Sequence, residues 1–210
     1  MPLQNRVDPF GAIVATDARG TLMGNRGGCI HDGDRRLVRR WATKAWITCL
    51  LEFKGQRREL MKPGLYTELF FLDEATALAA GHRPCAECRR DDYRRFKAGF
   101  TAALEGRGVA IKTAPDMDAI LHAERTSEDP QTAPARDLPD GVMVRLDDKA
   151  WLKRGGDLLE WSFQGYDGRR PSPDAAVEVL TPPSTLAVIR AGYQVGVHPS
   201  AGPSGTGAMG

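Results

Sequence analysis

The sequence predicts an α+β fold, and three observations do so. Cys85 and Cys88 form a Cys-x-x-Cys turn that runs straight into a helical pattern. Helical periodicity also precedes and follows that turn. Beyond residue 141 the pattern changes to short β-rich runs separated by Gly and Asp turns. A ligand-bearing turn that launches a helix is the second half of a treble-clef zinc site. The expected architecture is therefore a treble-clef-like zinc-binding N-terminal part with a small β-rich C-terminal part. In residues this means a basic, zinc-binding α+β domain over 1–129, a polar, proline-rich linker over 130–141, a β-rich unit over 142–198 and a disordered tail over 199–210.

Taken in order, "GAIVAT" at 11–16 reads as a short buried strand and "RGTLMGNRGG" as a turn-rich return. "RRLVRRWATKAW" places Leu37, Val38, Trp41 and Ala45 at helical spacing, with arginines on the other face. "AWITCLLEF" at 45–53 is rich in β-formers, "KGQ" turns it, and "RREL" begins a hairpin partner; "YTELFFL" is a further strand. Asp73 caps a helix filled by "EATALAA", and Gly81 ends it where a left-handed residue is favoured. Pro84 stops any further helix, so Cys85 lies in a turn. "RRDDYRRFKAGFTAALEG" follows as a second helix, with Tyr93, Phe96, Phe100 and Leu104 on one core-facing stripe. "MDAILHAERTSED" is a third helix. "GVMVRL", "AWLKRG", "DLLEWSF" and "AVEVLTP" are the later strands, while "TPPST" at 181–185 reads as a rigid turn.

The 210 residues suffice to bury a core, and the 41% apolar and 27% charged content is that of an ordinary globular chain. The start "MPLQNRVDPFG" has no basic head before an apolar run, and no stretch approaches the roughly 20 apolar residues that span a bilayer. A cytoplasmic location without membrane contact is expected. The four cysteines would then stay reduced, which favours metal binding over disulfides.

Cys-x-x-Cys aims two thiolates at one tetrahedral ion, and zinc needs two further ligands. The helix after Cys88 stabilises thiolates at its N-terminus. The remaining ligands should come from upstream. The candidates are Cys29 first, in the glycine-bearing loop "GNRGGCIHD", then His31, then Cys49. Alternation puts Cys49 on the same side of its strand as Ile47 and Leu51, where it reads equally as a small apolar residue. A thioredoxin-like redox pair would follow a βαβ pattern that is missing here, and haem attachment would need His in place of Arg89.

The stretch "FFLDEATALAAGHRPCAECRR", Phe70 to Arg90, resembles the zinc-binding module of the Ada family of methylated-DNA repair proteins and the Ada-like modules of some nucleases. Gly81, Arg83, Pro84, Cys85 and Cys88 carry the resemblance. It implies a structural zinc held by Cys85 and Cys88, a treble-clef-like layout, and a setting of DNA contact or repair. The first ligand pair of that family is two closely spaced cysteines, one of them the methyl acceptor. Here Cys29 and Cys49 are twenty apart, so methyl transfer is assigned to no residue.

The net charge of +2 conceals an uneven distribution. From Arg26 to Arg58 basic residues face only Asp32, Asp34 and Glu52. This suits a polyanion. Arg26, Arg83, Arg89 and Arg90 flank the proposed ligands, and Arg35, Arg36, Arg39 and Arg40 would line one helix face, with Trp41 and Trp46 as stacking surfaces. The expectation is a zinc-binding protein that grips DNA or RNA. A solvated helix face with two core tryptophans is the plainer alternative. As an enzyme it would be a nuclease using His31, Asp32 and Asp34 for a divalent cation, with Glu52 and Glu68 as further acids; otherwise zinc would only stabilise the fold. His82, His122 and His198 have no evident partners, and Trp151, Trp161 and Tyr166 read as core.

Overall fold

The computed structural model describes residues 1–55, 59–106 and 108–203. Two six-stranded sheets organise them. The first contains β1 (Gln4–Val7), β2 (Ile13–Ala15), β3 (Leu22–Asn25), β4 (Ile47–Leu50), β5 (Leu69–Phe71) and β6 (Arg83–Pro84), in the order β2-β1-β5-β3-β4-β6. The second contains β7 (Gln131–Pro134), β8 (Met143–Leu146), β9 (Lys149–Arg154), β10 (Asp157–Trp161), β11 (Tyr166–Pro171) and β12 (Ala176–Val179), in the order β11-β10-β9-β8-β12-β7. Four α-helices accompany them: α1 (Glu74–Ala79), α2 (Arg90–Glu105), α3 (Ala114–Arg125) and α4 (Pro183–Arg190). The chain is α+β as expected. No helix among the described residues is long and apolar enough to cross a membrane.

Short as it is, α1 joins everything. Asp73 caps it, accepting from the Thr76 backbone N–H at 2.9 Å, and every residue from Glu74 to Ala79 is buried. Ala77 and Ala80 pack with Val7, Leu69 and Phe71 of the first sheet. Leu72, Ala75 and Ala79 pack with Met143, Leu152 and Leu159 of the second. Leu78 meets Phe96 and Phe100 of α2. The alanines let neighbouring elements approach from several sides at once. Gly81, at φ 80°, ends the helix, and a Cβ there would meet Arg125 Cδ at 2.5 Å. Only glycine fits.

Several expectations need correction. Residues 35–46 are not helical: Asp32 Oδ1 accepts from the N–H groups of Asp34 and Arg36, both at 2.9 Å, and Arg35 sits at φ 62°. Val38 N–H donates to Ile30, and Ala42 N–H to Arg26, so the backbone pairs with an earlier segment instead of with itself. "RGTLMGNRGG" holds β3, a central strand. The stretch 130–141 is not a linker, because β7 pairs with β12 and both Ala135 and Leu138 enter the core. "TPPST" opens α4, with Pro183 at the first helical position, where the missing proline N–H does no harm. Of the tail, Pro199–Ala201 form a 3-10 turn with Ala201 buried, and 204–210 lie outside the described residues. The hairpin expected from "RREL" starts at Arg57 and Arg58, also outside them. The core reading of Trp151 and Tyr166 holds.

Candidate metal centre

The site is built by strand register. β4 and β6 run parallel, pairing Ile47 with Arg83 and Thr48 with Pro84, and Cys85 N–H donates to Thr48 O at 2.9 Å. One step further along both strands sets Cys49 beside Cys85. The turn to α2 then returns Cys88, so that the ligand atoms of Cys49, Cys85 and Cys88 all lie within 4.8 Å of one another. A tetrahedral zinc with Zn–S bonds of about 2.3 Å needs sulfurs roughly 3.8 Å apart. Three thiols within 4.8 Å of one another are compatible with such an ion.

Their protonation already leans that way. The Cys85 thiol is lowered to about 5, first because Cys49 donates a hydrogen bond to it, and further by the backbone N–H groups of Cys88 and Glu87. The same interaction, followed by burial, raises Cys49. Burial raises Cys88. Because Cys49 and Cys88 are raised, an ion bound by all three must displace protons from them, which makes affinity rise with pH.

Among the described residues no fourth His, Cys, Asp or Glu atom joins this group. Cys29 and His31, the partners expected first, are not in it. Cys29 Sγ donates to His31 O at 3.2 Å, and His31 is buried with Nδ1 2.6 Å from Thr67 Oγ1. Tertiary hydrogen bonds to Thr67 turn that loop away from the turn it was expected to meet. His82 is buried, His122 lies edge-on to Trp41, and His198 bonds Ser200. Asp32 Oδ1 caps a turn, and His31, Asp32 and Asp34 do not make a close group of three ligand atoms.

The cysteines open into a cavity of about 660 Å³ over one face of the first sheet. Register determines the lining: Cys49 pairs with Met23, and Met23 with Phe70, so their side chains share a face; two residues along, Ile47, Asn25 and Glu68 share it too. Ile47, Cys49 and Leu51 do face one side together. Glu68, offered by the sequence only as a further acid for a divalent cation, lines the cavity beside the thiols, a placement that sequence reasoning missed. Its alternation with Phe70 on the approach to β5 was the signal that could have found it.

The arginines divide. Arg26, Arg83 and Arg89 are buried and cannot grip a polyanion. Arg83 makes a two-pronged ion pair with Asp118 at 2.7 and 2.8 Å. Arg89 bonds Glu74 at 2.6 Å, Asp92 and Thr48. Arg26 stacks 4.0 Å from the Trp46 ring centre, with Arg125 at 3.8 Å from the same ring. Burial, then the charge of Arg40, lowers Arg26 to about 9. Trp46 is buried in this sandwich and offers no stacking face. Arg35 pairs with Glu59, while Arg36, Arg39, Arg40 and Arg90 are exposed.

Buried His82 is held well below its ordinary 6.5, by burial first and then by Arg26 and Arg125. Below that pH the unfolded chain takes up a proton that the folded one refuses, so stability falls as pH falls. Compared with His82→Gln, the wild type should lose an extra ~1.4 kcal/mol per pH unit below about pH 6, with a constant difference above about pH 7.5. Urea unfolding across that range measures it, and parallel curves would refute it. No protein-family model, curated protein or solved structure matches this chain.

Proposed function

We propose that the chain is a zinc-binding protein of the Ada-like, treble-clef-like kind, with Cys49, Cys85 and Cys88 holding one Zn²⁺ and the fourth position turned to the cavity. The observation that carries this is the convergence of three thiols from a strand and a helix-launching turn. Zinc is favoured over harder ions by an all-sulfur donor set. A nucleic-acid role, in DNA repair or processing, is the accompanying reading. It rests on Arg36, Arg39 and Arg40 in one exposed segment and on Arg90 beside the centre. The nuclease alternative would need His31, Asp32 and Asp34 to converge on a divalent cation.

One experiment tests both halves. Protein purified without chelator should contain one equivalent of zinc, and its affinity for duplex or single-stranded DNA and RNA should fall steeply with salt. Changing Arg36, Arg39 and Arg40 together to Glu should flatten the slope of log K against log salt by roughly 2 to 3, at about 0.7 to 0.9 for each phosphate no longer neutralised. Zinc-free protein would refute the metal centre. An unchanged slope would refute the nucleic-acid surface and leave a zinc-stabilised scaffold.

A further inference from the structure

The cavity beside the cysteines contains a polar group that no neighbour among the described residues satisfies. Glu68 is 2% exposed. Its Oε2 accepts from Met61 N–H at 2.7 Å, but Oε1 is buried without a hydrogen-bond partner among the described residues. Glu68 lines the same cavity as Cys49, Cys85 and Cys88. A buried carboxylate oxygen is costly unless a donor reaches it, and a cationic donor satisfies it best.

Glu68 and Cys49 stand two strands and two residues apart on one sheet face, a Cα separation of about 12 Å from strand spacing and rise. Met23, Ile47 and Phe70 form the floor between them. The 660 Å³ volume falls in the range of small-molecule sites, which pair apolar walls with a few placed polar groups.

We propose that this cavity binds an amine-bearing nitrogen heterocycle. Its ring nitrogen takes the fourth metal position, its apolar body lies on Met23, Ile47 and Phe70, and its cationic nitrogen donates to Glu68 Oε1. The inference rests on the zinc reading above. Zinc accepts nitrogen donors readily, and an open fourth position is what distinguishes ligand-binding zinc from closed structural zinc.

The test uses the whole chain loaded with Co²⁺, whose visible bands report on the ligands. Histamine, with an imidazole and an ammonium, is titrated against 4-methylimidazole, which lacks the ammonium. Glu68→Gln is the matched variant, since its amide oxygen can still accept from Met61. Its thiolate-to-cobalt bands before ligand addition verify an intact centre. In the wild type histamine should bind at least roughly tenfold more tightly than 4-methylimidazole, and that preference should vanish in Glu68→Gln. Equal binding of the two probes, or a preference that survives Glu68→Gln, overturns the proposal while the zinc reading stands. Failure of the wild type to develop thiolate-to-cobalt bands overturns both.

Discussion

Replacing Cys88 by serine should lower zinc affinity by roughly a hundredfold or more, while Cys29→Ser should leave it unchanged. Structural zinc sites bind with about 10–16 kcal/mol, so one thiolate of a three-cysteine set is worth roughly 3 kcal/mol or more, a factor above a hundred. Cys49→Ser and Cys85→Ser should behave like Cys88→Ser, because all three sulfurs converge. Cys29 is the informative control. It lies in the glycine-bearing loop that the sequence favours as ligand source, yet its sulfur is directed at His31 O. Competition with a chromophoric chelator at fixed pH reads the series. A decrease at Cys29 equal to that at Cys88 would mean that the ion is held by a different set.

Arg89→Ala should destabilise the protein by about 3–5 kcal/mol, whereas Arg90→Ala should stay within about 0.5 kcal/mol. The two are neighbours in sequence and opposite in fate. Arg89 is buried against Glu74, which is itself 4% exposed and also accepts from Tyr193 OH at 2.7 Å and Gly196 N–H at 2.8 Å. Removing the guanidinium leaves that carboxylate charged in the core with neutral donors alone. Arg90 projects to solvent at the start of α2. Urea unfolding separates the cases, and equal small effects would show that the Glu74 charge finds water. A nucleic-acid assay on Arg89→Ala would therefore report unfolding rather than weaker phosphate binding.

These two results divide along the line between local and non-local information. The helix from Asp73 to Gly81 was legible because its cap, its apolar filling and its left-handed stop act within one or two turns. The Cys85–Cys88 pair was legible for the same reason. The stripe of Phe96, Phe100 and Leu104 needed only the helical period. The helix expected over 35–46 failed although its periodicity was good, because Ile30 and Arg26 carbonyls far back in the chain claimed its N–H groups. The linker expected over 130–141 failed likewise, because a strand edge on β12 was open to it.

By itself the sequence determined that the chain is α+β, that α1 and α2 flank the Cys-x-x-Cys turn, and that Cys85 and Cys88 belong to one candidate metal site. Only the tertiary structure decided that Cys49 completes the trio, that Arg26, Arg83 and Arg89 are interior, and that Glu68 looks into the same cavity as the thiols. The physical reason is register. Which residues of β3, β4, β5 and β6 stand side by side depends on pairings across tens of residues, and a slip of one position would have turned Cys49 to the opposite face.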